Sequence, residues 1–114
     1  MSGGADISVT DNGPMLVATV AGEVDMTNAA YVREELTSAV PNQAHALVID
    51  LSEARYMDSA AIEVLFELSR RLVRRRQQLR LVVPRCSPLR RLFTLIDLGS
   101  VAPVHDSLET AVVV

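Results

Sequence analysis

Ala46-Leu47-Val48-Ile49 is apolar at four consecutive positions and closes with Asp50-Leu51, too short for a helix and too uniformly apolar for a half-exposed strand. It reads as a buried strand, and a strand buried on both faces needs a sheet covered on both sides. The flanking segments agree. Ile7 and Val9 alternate with Ser8 and Thr10, Asp11-Asn12-Gly13-Pro14 gives a turn, and Met15 to Ala21 is again strand-like, an opening hairpin. Ala29, Val32, Leu36 and Val40 are spaced for a helix over 28–40, with Thr27 as its cap and Pro41-Asn42 as its end. Ala61, Leu65, Leu68 and Leu72 mark a second helix reaching about Arg76, Leu79 to Val83 a further strand, and Ser87-Pro88 the start of a third helix. Val101 to His105 reads as a short strand, and Asp106-Ser107-Leu108-Glu109 as a capping box before a last helix. The expected order is β-β-α-β-α-β-α-β-α: an α/β fold with a mixed, mostly parallel sheet and an N-terminal antiparallel hairpin.

At 114 residues and 49% hydrophobic content the chain is expected to form one domain over 1–114, with residues 1–5 unordered. No apolar run reaches 18 residues and the amino terminus has no signal-like core, so the expectation is a cytoplasmic protein without a membrane span. The lone Cys86 is taken as a small packing residue. Charge is uneven: residues 1–69 hold 11 acids against 2 arginines, while 70–114 hold 9 arginines against 3 acids, and there is no lysine.

These residues argue against most chemistry. His45 and His105 have no acid or cysteine at metal-ligand spacing, neither a phosphate loop nor a dinucleotide fingerprint occurs, and Ser59 lacks the glycines of a nucleophile elbow. The absence of lysine and the late position of Glu23 and Asp25, after the second strand, set aside a phospho-acceptor receiver built on Asp50. The arginines from 70 to 80 have no interleaved aromatics and crowd a helix carboxyl end, where the dipole favours cations, so nucleic acid is not an expected partner. What remains is Tyr56-Met57-Asp58-Ser59, which puts a hydroxyl where a helix begins, near a strand's carboxyl edge. By itself, Ser59 reads as a capping serine sooner than as a phosphosite; Asp58, Asp25 and Thr27 likewise read as caps, and Asp50 as a strand terminator.

Three blocks resemble a known family across almost the whole chain. They are Gly22-Glu23-Val24-Asp25-Met26-Thr27; Val48-Ile49-Asp50-Leu51-Ser52 followed by Tyr56-Met57-Asp58-Ser59; and Ser87-Pro88 through Arg91-Leu92-Phe93, with Leu98, Ser107 and Leu108 downstream. The chain resembles single-domain STAS proteins of the anti-sigma factor antagonist type. The resemblance implies that Ser59 is a phosphoacceptor and that the chain is not an enzyme and carries no cofactor or metal. Its partners would be an anti-sigma factor serine kinase, which binds the ATP, and a serine phosphatase. Unphosphorylated antagonist would bind the kinase and displace the sigma factor, and phosphorylation would release it. The implied partner-binding residues are Glu23, Asp25, Thr27, Met57, Asp58, Ser59, Ala60, Ile62 and Glu63, in a monomer or weak dimer. The alternative is a STAS scaffold or accessory subunit of a stress-signalling or lipid-transport complex, bound without phosphorylation.

The chain departs from the family pattern at Ala60, Ala61, Ile62 and Glu63, where Ser or Thr and two glycines are usual. Asp97 stands where a glycine commonly closes the third helix, with Gly99 two residues on to serve the turn.

Overall fold

The structure, a computed structural model, describes residues 4–113. Its elements are β1 (Ala5–Asn12), β2 (Met15–Val24), α1 (Ala29–Ala39), β3 (Ala46–Asp50), β4 (Ala54–Met57), α2 (Ser59–Arg74), β5 (Gln78–Val82), α3 (Pro88–Leu95), a 3-10 turn (Leu98–Ser100), β6 (Val104–His105) and α4 (Leu108–Ala111). The sheet runs β1-β2-β3-β5-β6, antiparallel only between β1 and β2. This is the α/β fold with the opening hairpin that the sequence predicts.

The central run is buried on both faces, as expected. Leu47 and Ile49 of β3, with Leu16, Ala18 and Val20 of β2, face α1, α2 and α3 in the main core; Val48 and Ala46, with Met15 and Val17, face α4 in a smaller one. Alternation along each strand sorts the residues between the two layers. Ser87 Oγ accepts the Leu89 N–H at 3.1 Å and Pro88 occupies the first turn, so α3 starts where its sequence signal lies.

The strand count differs from expectation. Between β3 and α2 the chain forms β4, which pairs in parallel with the far end of β2 through Gly22, Glu23 and Val24. Ser59 therefore leaves the sheet from β4 and not directly from the apolar run. With its Ala-Arg-Tyr-Met sequence, β4 is buried only at Ala54 and Met57 and has too little periodicity to be read in advance. The ladder shifts register between Gly22 and Glu23, and Gly22 sits at φ +95°, where a Cβ would lie 2.4 Å from the Gly4 carbonyl oxygen.

Several local expectations fail for identifiable reasons. Asn28, not Thr27, holds the cap position of α1. The capping box at Asp106 does not form: Ser107 makes no side-chain cap bond, and Asp106 pairs with Arg85 at 3.0 Å and Arg90 at 2.7 Å, because two guanidinium groups compete better than an exposed backbone N–H. The strand expected over Val101 to His105 shrinks to its last two residues, with Val101 closing the 3-10 turn. Asp97 takes the left-handed turn itself at φ 55°, and Gly99 is not needed there. Cys86 is exposed rather than packed. Ala5 already pairs with Gly22, so the unordered lead expected over 1–5 does not include it; residues 1–3 lie outside the described residues.

Helix α2 ends in a Schellman motif: Gln77 N–H donates to Leu72 O at 2.7 Å and Arg76 N–H to Val73 O at 3.0 Å, with Arg76 held at φ 62°. An arginine there carries a steric cost that glycine lacks. Arg76→Gly is expected to raise stability by about 1 kcal/mol in urea denaturation. Gly22→Ala should lower it by at least ~1 kcal/mol, since both the backbone angle and the Gly4 carbonyl oppose a methyl.

Candidate functional site

The site forms where two loops meet. One follows β2 and leads into α1; the other is the step from β4 into α2. Asp58 caps α2, its Oδ1 accepting the Ala61 N–H at 3.0 Å, and its Oδ2 accepts the Met26 N–H at 2.9 Å from the other loop. One carboxylate thus closes both loops. The Asp58 N–H donates to Val24 O at 3.2 Å, so the same residue also extends the β2–β4 ladder.

The β2–α1 loop is folded around Asp25. Its Oδ1 accepts from the Thr27 N–H at 2.9 Å and the Thr27 hydroxyl at 2.5 Å, while its own N–H donates to Asn28 Oδ1 at 3.0 Å. Asn28 Nδ2 in turn donates to Glu23 O at 2.9 Å. The Thr27 hydroxyl and N–H hold the Asp25 carboxyl below its ordinary pKa, with desolvation opposing this and the Asn28 backbone N–H adding to it.

Ser59 is the first residue of α2 and is exposed. The helical ladder begins with Ile62 N–H to Asp58 O at 3.0 Å, so the Ser59 and Ala60 N–H groups precede it at the positive end of the helix dipole. Glu63 lies exposed one turn on. Ser52 contrasts with Ser59, because its hydroxyl is held at 2.6 Å by Asp50, which folds back on its own turn as a strand terminator.

The residues singled out in the sequence fall into three positions. Glu23 is the penultimate residue of β2, Asp25 and Thr27 shape the loop, and Asp58, Ser59, Ala60, Ile62 and Glu63 form the head of α2. Met57 differs, being 6% exposed and offering little more than its edge. Ala61 is fully buried in the main core, so its departure from the family pattern is absorbed inside the molecule, and the changes that reach the surface are at half-buried Ala60 and exposed Glu63.

Beside Ser59 a groove of about 310 Å³ runs between α2 and α3, lined by Met57, Ile62, Phe66, Leu92 and Ile96, with Asp58, Ser59 and Glu63 among its walls. Phe66 and Ile96 were not legible as site residues. Their spacing is that of core positions, and only the packing of α3 leaves them facing an open cleft. Leu95, just outside, is 72% exposed. Among the described residues no group of three His, Cys, Asp or Glu could hold a metal, and no helix is long and apolar enough to cross a membrane.

Asp58→Ala is expected to cost about 1–2 kcal/mol, measured by chemical denaturation, through the lost cap and loop tie. Because the folded pKa of Asp25 is depressed, its contribution is present above the unfolded pKa and is lost as pH falls through the folded value. An NMR titration should find the Asp25 carboxyl below the ordinary carboxylate range, and Thr27→Val should move it upward.

Residues 6–111 match the STAS domain family. The anti-sigma-F factor antagonist RsfB of Mycobacterium tuberculosis is 29% identical over 106 residues, covering 92% of this chain and 84% of its own length. BtrV of Bordetella bronchiseptica is 32% identical over 98 residues, covering 85% of this chain and 83% of its own. Among solved structures, an anti-sigma factor antagonist from Mycobacterium paratuberculosis matches with a TM-score of 0.85 at 25% identity, over 97% of this chain and 93% of that one. With two cross-tied loops at the carboxyl ends of β2 and β4, the sequence blocks in place and relatives alike over most of their length, the chain belongs to the STAS domain family, among the anti-sigma factor antagonists.

Proposed function

We propose that this chain, unphosphorylated, binds an anti-sigma factor that is also a serine kinase, thereby freeing the sigma factor, and that phosphorylation of Ser59 ends the complex. The observation that carries this reading is the exposed Ser59 hydroxyl at the head of α2, between the acidic groups Asp58 and Glu63 and beside an apolar groove. The groove and the Asp25 loop form a docking face, on which Glu23, Asp25, Thr27, Asp58, Ala60, Ile62 and Glu63 meet the partner. The edge of Met57 adds to its floor. ATP is bound by the partner, so the chain acts as substrate and regulator, and a serine phosphatase restores it.

Phosphate would add about 1.5–2 negative charges beside Asp58 and Glu63. The helix amino terminus offsets that charge within the chain, since the N–H groups of Ser59 and Ala60 precede the helical ladder. A partner that docks on an acidic face loses more than the chain does, and a coupling of ~1–3 kcal/mol changes affinity by roughly 5–150 fold. No refolding is required for the switch.

Incubation with the cognate kinase and ATP, followed by mass spectrometry, should place phosphate on Ser59. Phosphate elsewhere, or a bound kinase that leaves the chain unmodified, would overturn the assignment; the second result would favour a scaffold that docks without modification. Calorimetric titration should show Ser59→Ala binding like the natural chain and Ser59→Asp binding at least several-fold more weakly, and equal affinities would remove the electrostatic switch.

A further inference from the structure

Among the described residues, β1 is the one long open edge of the sheet, since the opposite edge, β6, has two residues. Edges are commonly blunted by lysine, proline or a bulge. Over Ala5–Asn12, β1 carries none of these, its only charges are Asp6 and Asp11, and its register with β2 is unbroken. Glu23 N–H donates to Gly4 O, which fixes the alternation of the ladder. The even-numbered residues of β1 turn their backbone groups to β2, so Ala5, Ile7, Val9 and Asp11 turn theirs outward. On the side-chain level Ala5 and Ile7 pack against the main core, while Val9 is left 46% exposed.

We propose that this edge pairs antiparallel with β1 of a second copy about a two-fold axis at Ser8. The alternation admits only registers in which outward-facing residues oppose one another. It thereby excludes the arrangement that would set Asp6 against Asp11. Centring on Ser8 uses the strand from Gly4 to Asn12, sets Ile7 against Val9 twice, and places Asp6 opposite Thr10 and Asp11 opposite Ala5. Centring on Val9 would instead press Ile7 against Asp11, and centring on Ile7 would leave Asp11 and Asn12 unpaired. The Ser8 register thus covers the exposed valine with apolar surface continuous with the core and brings no like charges together. A single strand pair buries little area, so the dimer is a weak one that assembles at high micromolar concentration or above.

Sedimentation equilibrium of the full chain tests this. The mass should rise from 12.4 kDa toward twice that value as concentration reaches the sub-millimolar range, while Val9→Lys stays monomeric with an unchanged circular dichroism spectrum. A natural chain that remains monomeric there overturns the proposal, as does a folded V9K that associates like the natural chain; a monomeric natural chain would leave the edge to another protein's strand. Cross-linking provides a readout that does not depend on V9K folding. In a Cys86→Ala background, Ser8→Cys should form a disulfide-linked dimer on mild oxidation, because opposed non-hydrogen-bonded residues lie about 4.5 Å apart, within disulfide reach. Cross-linking through Val9→Cys in place of Ser8→Cys overturns the Ser8-centred pairing.

Discussion

The carboxylate of Asp58 joins parts of the chain that would otherwise be independent. One oxygen starts α2 and the other holds the β2–α1 loop by the Met26 N–H, 32 residues away in sequence. Both are charge-assisted bonds to backbone N–H groups, a stronger kind than bonds between neutral groups. Everything at the site takes its position from this residue. Ser59 is the next residue along, and the Asp25 turn and the mouth of the groove lie on either side. A cap that elsewhere would only tidy a helix end here also sets the geometry of a surface.

That arrangement means that the proposed switch would need no moving parts. The loop around Asp25 is closed by its own hydrogen bonds to Thr27 and Asn28, and the head of α2 is fixed by its cap. Under the proposed phosphorylation of Ser59, a change of charge would alter what an incoming surface meets while the loop and helix cap beneath it keep their hydrogen bonds. The apolar groove supplies a part of the face that does not respond to charge, so contact area and electrostatic control are carried by adjacent but different residues.

Much of this was legible in the residues themselves. The buried run at 46–49, the amphipathic pattern of α2 and the Ser87-Pro88 start each express a strong, local physical preference, and each element formed where it was expected. Asp58 and Ser59 stood out through the resemblance of Tyr56-Met57-Asp58-Ser59 to the family's block, since the residues alone also read as a helix cap. What was not legible depended on long-range competition. Asp106 has the sequence of a cap but lies within reach of two arginines, and β4 exists because the end of β2 offers a free ladder once β3 has turned away. Asn28 is a further case: its side chain staples the loop, although the neighbouring Thr27 is an equally plausible cap by residue type. Phe66 and Ile96 resemble core residues in spacing, and only the tertiary placement of α3 makes them line a cleft.

The division of β2 between two parallel neighbours has a consequence for the energy landscape of the native state. Its first half, Met15 to Thr19, is locked between β1 and β3, with both faces buried in the two cores. Its last residues keep β1 beside them only as far as Gly22 and the Gly4 carbonyl, and on the other side have three paired positions of β4 and the Asp58 N–H on Val24 O. Proteins open in cooperative units of unequal stability, and a short ladder with exposed neighbours belongs at the low end of that range. The far end of the strand is thus its least extensively paired part, so amide protection should fall along one continuous strand on passing Gly22.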